Sequence, residues 1–246
     1  MAHRGGALLP SNVGIENTVA AFRNAVDLGY RYLETDVHAT ADAQLVALHD
    51  DRLDRVSDQH GRVSDLTLAD LAGVRIGGRE PIPTMAELFS TFPDACFNID
   101  LKEDAAVAPL ARLIDEAAAH DRVCVASFSD ARLRRFRDLS GGRVATSAGP
   151  SAVAYTVATP LLPRMINTPA AVFQVPVVHT MAGRRLRIVT PRFIEVAHGR
   201  GMKVHVWDVD DPDEMRRLLG LGIDGIITDA VDVLRDVLIG VGRWQD

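Results

Sequence analysis

Strand-like and helix-like segments alternate along this chain from end to end, and that alternation restricts its fold more than any other feature. Short apolar runs near residues 1–4, 30–37, 95–101, 122–127, 142–147, 170–175, 202–207 and 223–228 read as strands. Helical patterns over 18–28, 104–119, 129–138, 190–200, 211–219 and 229–240 fall between many of them. Thr18 is placed to cap the first helix and Gly29 to close it in a left-handed turn. Thr190-Pro191 and Asp211-Pro212 mark two further starts, each a capping residue followed by a first-turn proline. About eight strands with intervening helices imply an α/β fold closed into a parallel barrel. An open doubly wound sheet is the main rival, but no Gly-x-Gly-x-x-Gly follows the first strand.

Two stretches break the rhythm. Residues 38–94 exceed a simple strand-to-helix link, with a hairpin expected through Gln44-Leu45-Val46-Ala47-Leu48-His49 and short helices near 67–72 and 84–91. Residues 159–169 are proline-rich and read as a loop. Without an internal repeat or linker, the 246 residues are expected to form one domain, a usual length for such barrels.

With 47% hydrophobic and 24% charged residues the chain has material for a sizeable core. A net charge of -6 argues against a nucleic-acid partner or an anionic membrane surface, both of which call for a basic face. Cys96 and Cys124, the only cysteines, lie in apolar runs and read as reduced, buried thiols. No apolar stretch approaches the roughly 18 residues that span a membrane, so stable insertion is not expected. No signal peptide is visible ahead of His3, and the expected location is cytoplasmic, though a trimmed leader would leave the same sequence.

Chemistry concentrates at the strand ends. Glu34 and Asp36 lie two apart in Tyr30-Arg31-Tyr32-Leu33-Glu34-Thr35-Asp36-Val37, so both carboxylates share one face of a strand. Asp100 and Lys102 repeat that spacing in Phe97-Asn98-Ile99-Asp100-Leu101-Lys102. Neighbouring anions in an apolar strand are costly to bury, and the simplest remedy is one divalent cation. Three hard oxygen donors favour Mg²⁺ or Ca²⁺ over zinc. In a parallel barrel such residues gather at the carboxyl ends of the strands, where active sites lie.

Histidine suits acid–base work near neutral pH, and His3 and His49 are the candidates because each adjoins a feature of the proposed site, Arg4 in one case and Asp50 in the other. Arg4 and Lys102 can take phosphate oxygens. Asp50 either orients His49 or is an ordinary turn carboxylate, and His38 faces either the site or solvent. Trp207 either walls the pocket or fills barrel core; Phe128 and Gln174 are weaker pocket candidates. A metal, two histidines and a lysine point to phosphate-ester chemistry.

The ordered set His3-Arg4-Gly5-Gly6, Glu16-Asn17-Thr18, Glu34-Thr35-Asp36-Val37-His38-Ala39-Thr40-Ala41-Asp42 and Val46-Ala47-Leu48-His49-Asp50 resembles the signature of the glycerophosphodiester phosphodiesterase family. The likeness continues through Asn98-Ile99-Asp100-Leu101-Lys102, Ser127-Phe128-Ser129, Val206-Trp207-Asp208-Val209-Asp210 and Gly222-Ile223-Asp224-Gly225-Ile226-Ile227-Thr228-Asp229. It implies a TIM (β/α)8 barrel with a small insertion after the second strand. It also implies a divalent cation, Mg²⁺ or Ca²⁺, on Glu34, Asp36 and Asp100, an acid–base pair of His3 and His49, and Arg4 and Lys102 near the phosphate. The implied substrates are small glycerophosphodiesters, cleaved to glycerol 3-phosphate and an alcohol, with attack by the adjacent glycerol hydroxyl giving a cyclic phosphate that water then opens. A phospholipase D-like lyase that stops at the cyclic phosphate is a second reading, and a barrel that binds phosphorylated metabolites without cleaving them a third.

The chain departs from the family pattern in four places. Asp100 stands where glutamate is usual, one methylene shorter; Gly14-Ile15 replaces a proline-led approach to Glu16. Asp208 and Asp210 replace threonine and asparagine, which predicts a more acidic rim, and Asp42-Ala43 replaces Asp-Gly in the hairpin turn.

Overall fold

A computed structural model describes residues 1–158, 168–181 and 183–244. Five parallel strands lie side by side in chain order: β1 (Ala2–His3), β2 (Tyr32–Ala39), β3 (Cys96–Leu101), β4 (Val123–Ala126) and β5 (Ala145–Thr146). Three more, β6 (Val172–Pro176), β7 (Lys203–Trp207) and β8 (Gly225–Ile226), form a second parallel set in the same order. Single-residue parallel bridges, Ser147 to Val172 and Thr228 to Ala2, join the two sets edge to edge. His3 N–H donates to the Thr228 carbonyl (2.9 Å) and Ala148 N–H to that of Val172 (2.7 Å) at these seams. The strands thus follow one another round a ring, the TIM-barrel order.

A helix follows each strand: α1 (Val19–Asp27), α2 (Met85–Thr91), α3 (Val107–Glu116), α4 (Asp130–Leu139), α5 (Pro150–Ala158), α6 (Pro191–His198), α7 (Pro212–Leu221) and α8 (Val231–Gly240). The expected caps are present. Thr18 Oγ1 accepts from Ala21 N–H at 3.2 Å, Thr190 Oγ1 from Phe193 N–H at 3.1 Å, and Asp211 Oδ1 from Glu214 N–H at 2.8 Å. Gly29 ends the first helix with φ +97°. No helix among the described residues is long and apolar enough to cross a membrane.

Strand alternation sorts the side chains. In β3, Phe97, Ile99 and Leu101 join Phe22, Phe136 and Phe173 in the main apolar cluster. Each buried side chain of this size stabilises the fold by roughly 1.5–3 kcal/mol. Asn98 and Asp100 have the opposite parity. Gln174 on β6 donates to Asn98 Oδ1 at 2.6 Å, so this parity faces the barrel interior.

The insertion after β2 starts as a hairpin, with Val37 opposite Ala47 and Ala39 opposite Leu45. It has its own apolar cluster of Val46, Leu48, Leu53, Val63, Leu71, Val74, Ile76 and Ile82. A short helix, Leu68–Leu71, carries a capping box between Thr67 and Asp70.

Three features differ from the sequence expectation. α5 was not anticipated because Pro150–Ala158 lacks a polar face and so shows no helical period. An antiparallel hairpin pairs Val178–Met181 with Arg184–Arg187, where no strands were expected. Cys96 and Cys124 are free thiols as expected, but each is only partly buried. Most of the loop expected at 159–169 lies outside the described residues.

Candidate active site at the strand carboxyl ends

The turn leaving β1 explains the run His3-Arg4-Gly5-Gly6. Arg4, Gly5 and Gly6 all have positive φ (51°, 88° and 89°). A Cβ on Gly5 would come within 2.8 Å of the Ala21 backbone, and one on Gly6 within 2.6 Å of Val231 Cγ2. Only glycine fits either place. Arg4, an L-residue in the left-handed region, is strained, as residues at functional sites often are. Its backbone N–H donates to the Glu34 carbonyl at 3.0 Å.

That turn sets His3 beside two acids. Its Nδ1 lies 2.9 Å from Asp229 Oδ1, and its Nε2 lies 3.7 Å from Glu34 Oε2. Burial works against a charged ring, but the Asp229 hydrogen bond and the Glu34 charge outweigh it and raise the His3 pKa to about 9.

Register assembles the carboxylates: His3 pairs with Glu34, and Asp36 with Asp100. All three acids are buried. Lys102 Nζ bridges two of them, 2.9 Å from Asp36 Oδ1 and 2.8 Å from Asp100 Oδ2. Arg4 Nε lies 3.2 Å from Asp36 Oδ2 but is not aligned for a hydrogen bond. Asn17 Nδ2 donates to the same oxygen at 3.2 Å.

The charges divide unevenly. Burial opposes ionisation of Asp36, yet Lys102 and Arg4 hold its carboxyl below the usual range. Glu34 moves the other way, because burial and the Asp36 charge both push it up. Lys102 is raised despite burial by Asp36 and Asp100.

Asp100 Oδ1 is buried without a hydrogen-bond partner. An orphaned carboxylate oxygen on a residue in register with Asp36 fits a divalent cation. As placed, no three His, Cys, Asp or Glu groups among the described residues form a ready cage, and Lys102 holds two of the three acids.

His49 comes from the insertion. Its Nδ1 is 2.6 Å from Asp50 Oδ1, so Asp50 orients the ring rather than merely ending a turn. Asp50 Oδ2 takes Arg55 Nε at 2.6 Å, and these bonds, working against burial, bring its carboxyl to about 2. His49 lies close enough to Asp36 to interact with it electrostatically. His38 is buried, not solvent-facing, and its Nε2 lies 3.1 Å from the His49 carbonyl.

At the mouth, Trp207 and Phe128 meet edge to face at 5.7 Å. Phe128 is 67% exposed and Trp207 half-buried, so they form an open apolar wall rather than core. Gln174 serves the layer beneath through Asn98. Asp208 is exposed, as an acidic rim requires, but Asp210 is not part of it. Its Oδ1 accepts from Thr228 Oγ1 and from the Asp229 and Ala230 N–H groups, fixing the turn that carries Asp229.

Sequence reasoning singled out His3, Arg4, Glu34, Asp36, Asp100 and Lys102, which the structure brings together, and His49 beside them. It assigned no role to Asp229, Asn17 or Arg55. The polar pair Thr228-Asp229 after an apolar strand was a signal for the first; Arg55 carried none.

The profile of the glycerophosphoryl diester phosphodiesterase family matches residues 3–233. A probable glycerophosphodiester phosphodiesterase 2 of Mycobacterium tuberculosis is 40% identical over 259 aligned positions, spanning 100% of this chain and 92% of that protein. A glycerophosphodiester phosphodiesterase of Caldanaerobacter subterraneus is 30% identical, spanning 95% of each. Among solved structures, an Oleispira antarctica phosphodiesterase in complex with the product sn-glycerol-3-phosphate superposes with a TM-score of 0.79 at 21% identity. That superposition covers 97% of this chain and 95% of that one, and bears on the fold. The barrel, the family match over residues 3–233 and a relative 40% identical across the whole of this chain lead to one conclusion: the chain belongs to the glycerophosphoryl diester phosphodiesterase family.

Proposed function

We propose that this protein hydrolyses small glycerophosphodiesters to glycerol 3-phosphate and an alcohol, with a divalent cation and two histidines. The observation that best supports this reading is the pairing of each histidine with its own carboxylate, His3 with Asp229 and His49 with Asp50, around buried acids. Residues 1–246 are read as one catalytic unit, with the insertion supplying His49.

Glu34, Asp36 and Asp100 would hold the ion, Mg²⁺ or Ca²⁺. Once bound, it supplies positive charge to the phosphate and lowers the pKa of a nearby hydroxyl. Arg4 and Lys102 bind phosphate oxygens. His49, with Nδ1 committed to Asp50, offers Nε2, which has no hydrogen-bond partner among the described residues, to take the proton of the attacking glycerol hydroxyl. His3, whose Nδ1 lies 2.9 Å from Asp229 Oδ1, returns a proton to the leaving alkoxide. The two exchange roles when water opens the cyclic phosphate. Trp207 and Phe128 form a wall for the glycerol or alcohol group.

The test is His3→Ala and His49→Ala, each stripped with chelator, reloaded with metal and checked for fold by circular dichroism. Both should lose turnover by about 100-fold or more. Near-wild-type activity in both would sink the assignment. Cyclic phosphate accumulating as the end product would favour the lyase.

A further inference from the structure

The insertion contributes one side chain that ties the His49 side of the site to the barrel. Arg55 Nε donates to Asp50 Oδ2 at 2.6 Å, while its two terminal nitrogens donate to Glu16, Nη2 to Oε1 at 2.7 Å and Nη1 to Oε2 at 3.0 Å. The other oxygen of Asp50 holds His49 Nδ1 at 2.6 Å, and Glu16 also accepts from Arg4 Nη1 at 3.1 Å. One guanidinium therefore links two carboxylates that each grip a proposed site residue. We propose that Arg55 is a positioning residue for catalysis, anchoring the Asp50–His49 pair of the insertion to Glu16 on the loop after β1. This rests on the reading of His49 as an acid–base group.

Stability does not explain the arrangement. The Arg55 side chain is 46% exposed, and ion pairs in contact with water stabilise little. The surrounding backbone is set without it: Val56 and Ser57 N–H groups both donate to the Leu53 carbonyl, and Leu53 is buried in the insertion's own apolar cluster. What Arg55 adds is direction. Asp50 belongs to a loop and can turn, and its free oxygen would otherwise rotate toward water. With that oxygen held, the other stays on Nδ1 and the ring keeps Nε2 open for proton transfer. Arg55 Nη2 also reaches Asp50 Oδ1 at 3.4 Å, and so many N–H donors shared between two carboxylates need the fork of arginine, which the single ammonium of lysine cannot supply.

The test is steady-state kinetics on glycerophosphocholine with Arg55→Met, Arg55→Lys, Asp50→Asn, the Arg55→Met/Asp50→Asn double variant, and His49→Asn as reference. Arg55→Met should lower kcat by about 10- to 100-fold, the usual range for outer-shell partners, with KM little changed and the melting temperature near wild type. The double variant should lose little more than the worse single one, because both break the same link. Arg55→Lys keeps the charge without the fork and should recover only part of kcat; it carries the test alone if Arg55→Met does not fold. Wild-type kcat in Arg55→Met, a loss confined to KM, or additive losses would overturn the role of Arg55. An active His49→Asn would instead remove the reading on which that role rests.

Discussion

Asp229 Oδ1 lies 2.9 Å from His3 Nδ1, and this contact sets the charge on the first strand's histidine. Asp229 is itself held by Asp210, whose carboxylate accepts its backbone N–H at 2.9 Å. The His3 pKa rises from 6.5 to about 9, despite burial, with the Asp229 bond the largest raising cause. A raised folded-state pKa stabilises the fold fully below pH 6.5, and that contribution fades as pH climbs through 9. A shift of this size corresponds to about 3 kcal/mol. Asp229→Asn should therefore be less stable than wild type at pH 6 and nearly equal to it at pH 10. Urea unfolding at the two pH values measures the difference; a gap that is the same at both pH values would contradict the pairing.

Lys102 is the cation between Asp36 and Asp100. Lys102→Met should cost about 3 kcal/mol in chelated protein, because it leaves two buried carboxylates facing each other. If an ion takes Asp36 and Asp100 as proposed, it competes with Lys102 for them, and added Mg²⁺ or Ca²⁺ should raise the melting temperature of the variant more than that of wild type. Equal metal-induced shifts would argue that the ion does not use Asp36 and Asp100.

Ala43 occupies the hairpin turn with φ +59°, a conformation that disfavours any residue with a Cβ. Ala43→Gly removes that strain at some entropic cost in the unfolded chain, for a net gain of roughly 0.5–1 kcal/mol. Thermal unfolding should show a higher midpoint with kcat unchanged. A lower midpoint would mean that the turn tolerates alanine without strain.

The barrel was legible because strands and helices announce themselves by period, and β2 and β3 show the clearest case. Glu34, Asp36 and Asp100 could be grouped because strand parity and strand ends are local properties of sequence. α5 was not legible, since Pro150–Ala158 is apolar all round and its helical period is hidden. Contacts between remote side chains were also out of reach. Arg55 and Glu16 are 39 residues apart, and His3 and Asp229 are 226 apart. Parity alone could not say that Lys102 would reach both aspartates, nor that Asp210 would cap a turn instead of lining the rim.

The most direct measurement is phosphorus NMR of glycerophosphocholine, glycerophosphoethanolamine and glycerophosphoglycerol incubated with wild-type protein, chelated protein, and chelated protein reloaded with Mg²⁺ or Ca²⁺. The site described here predicts glycerol 3-phosphate from at least one substrate, lost on chelation and restored by metal. No glycerol 3-phosphate from any of the three, or release that survives chelation undiminished, would contradict it.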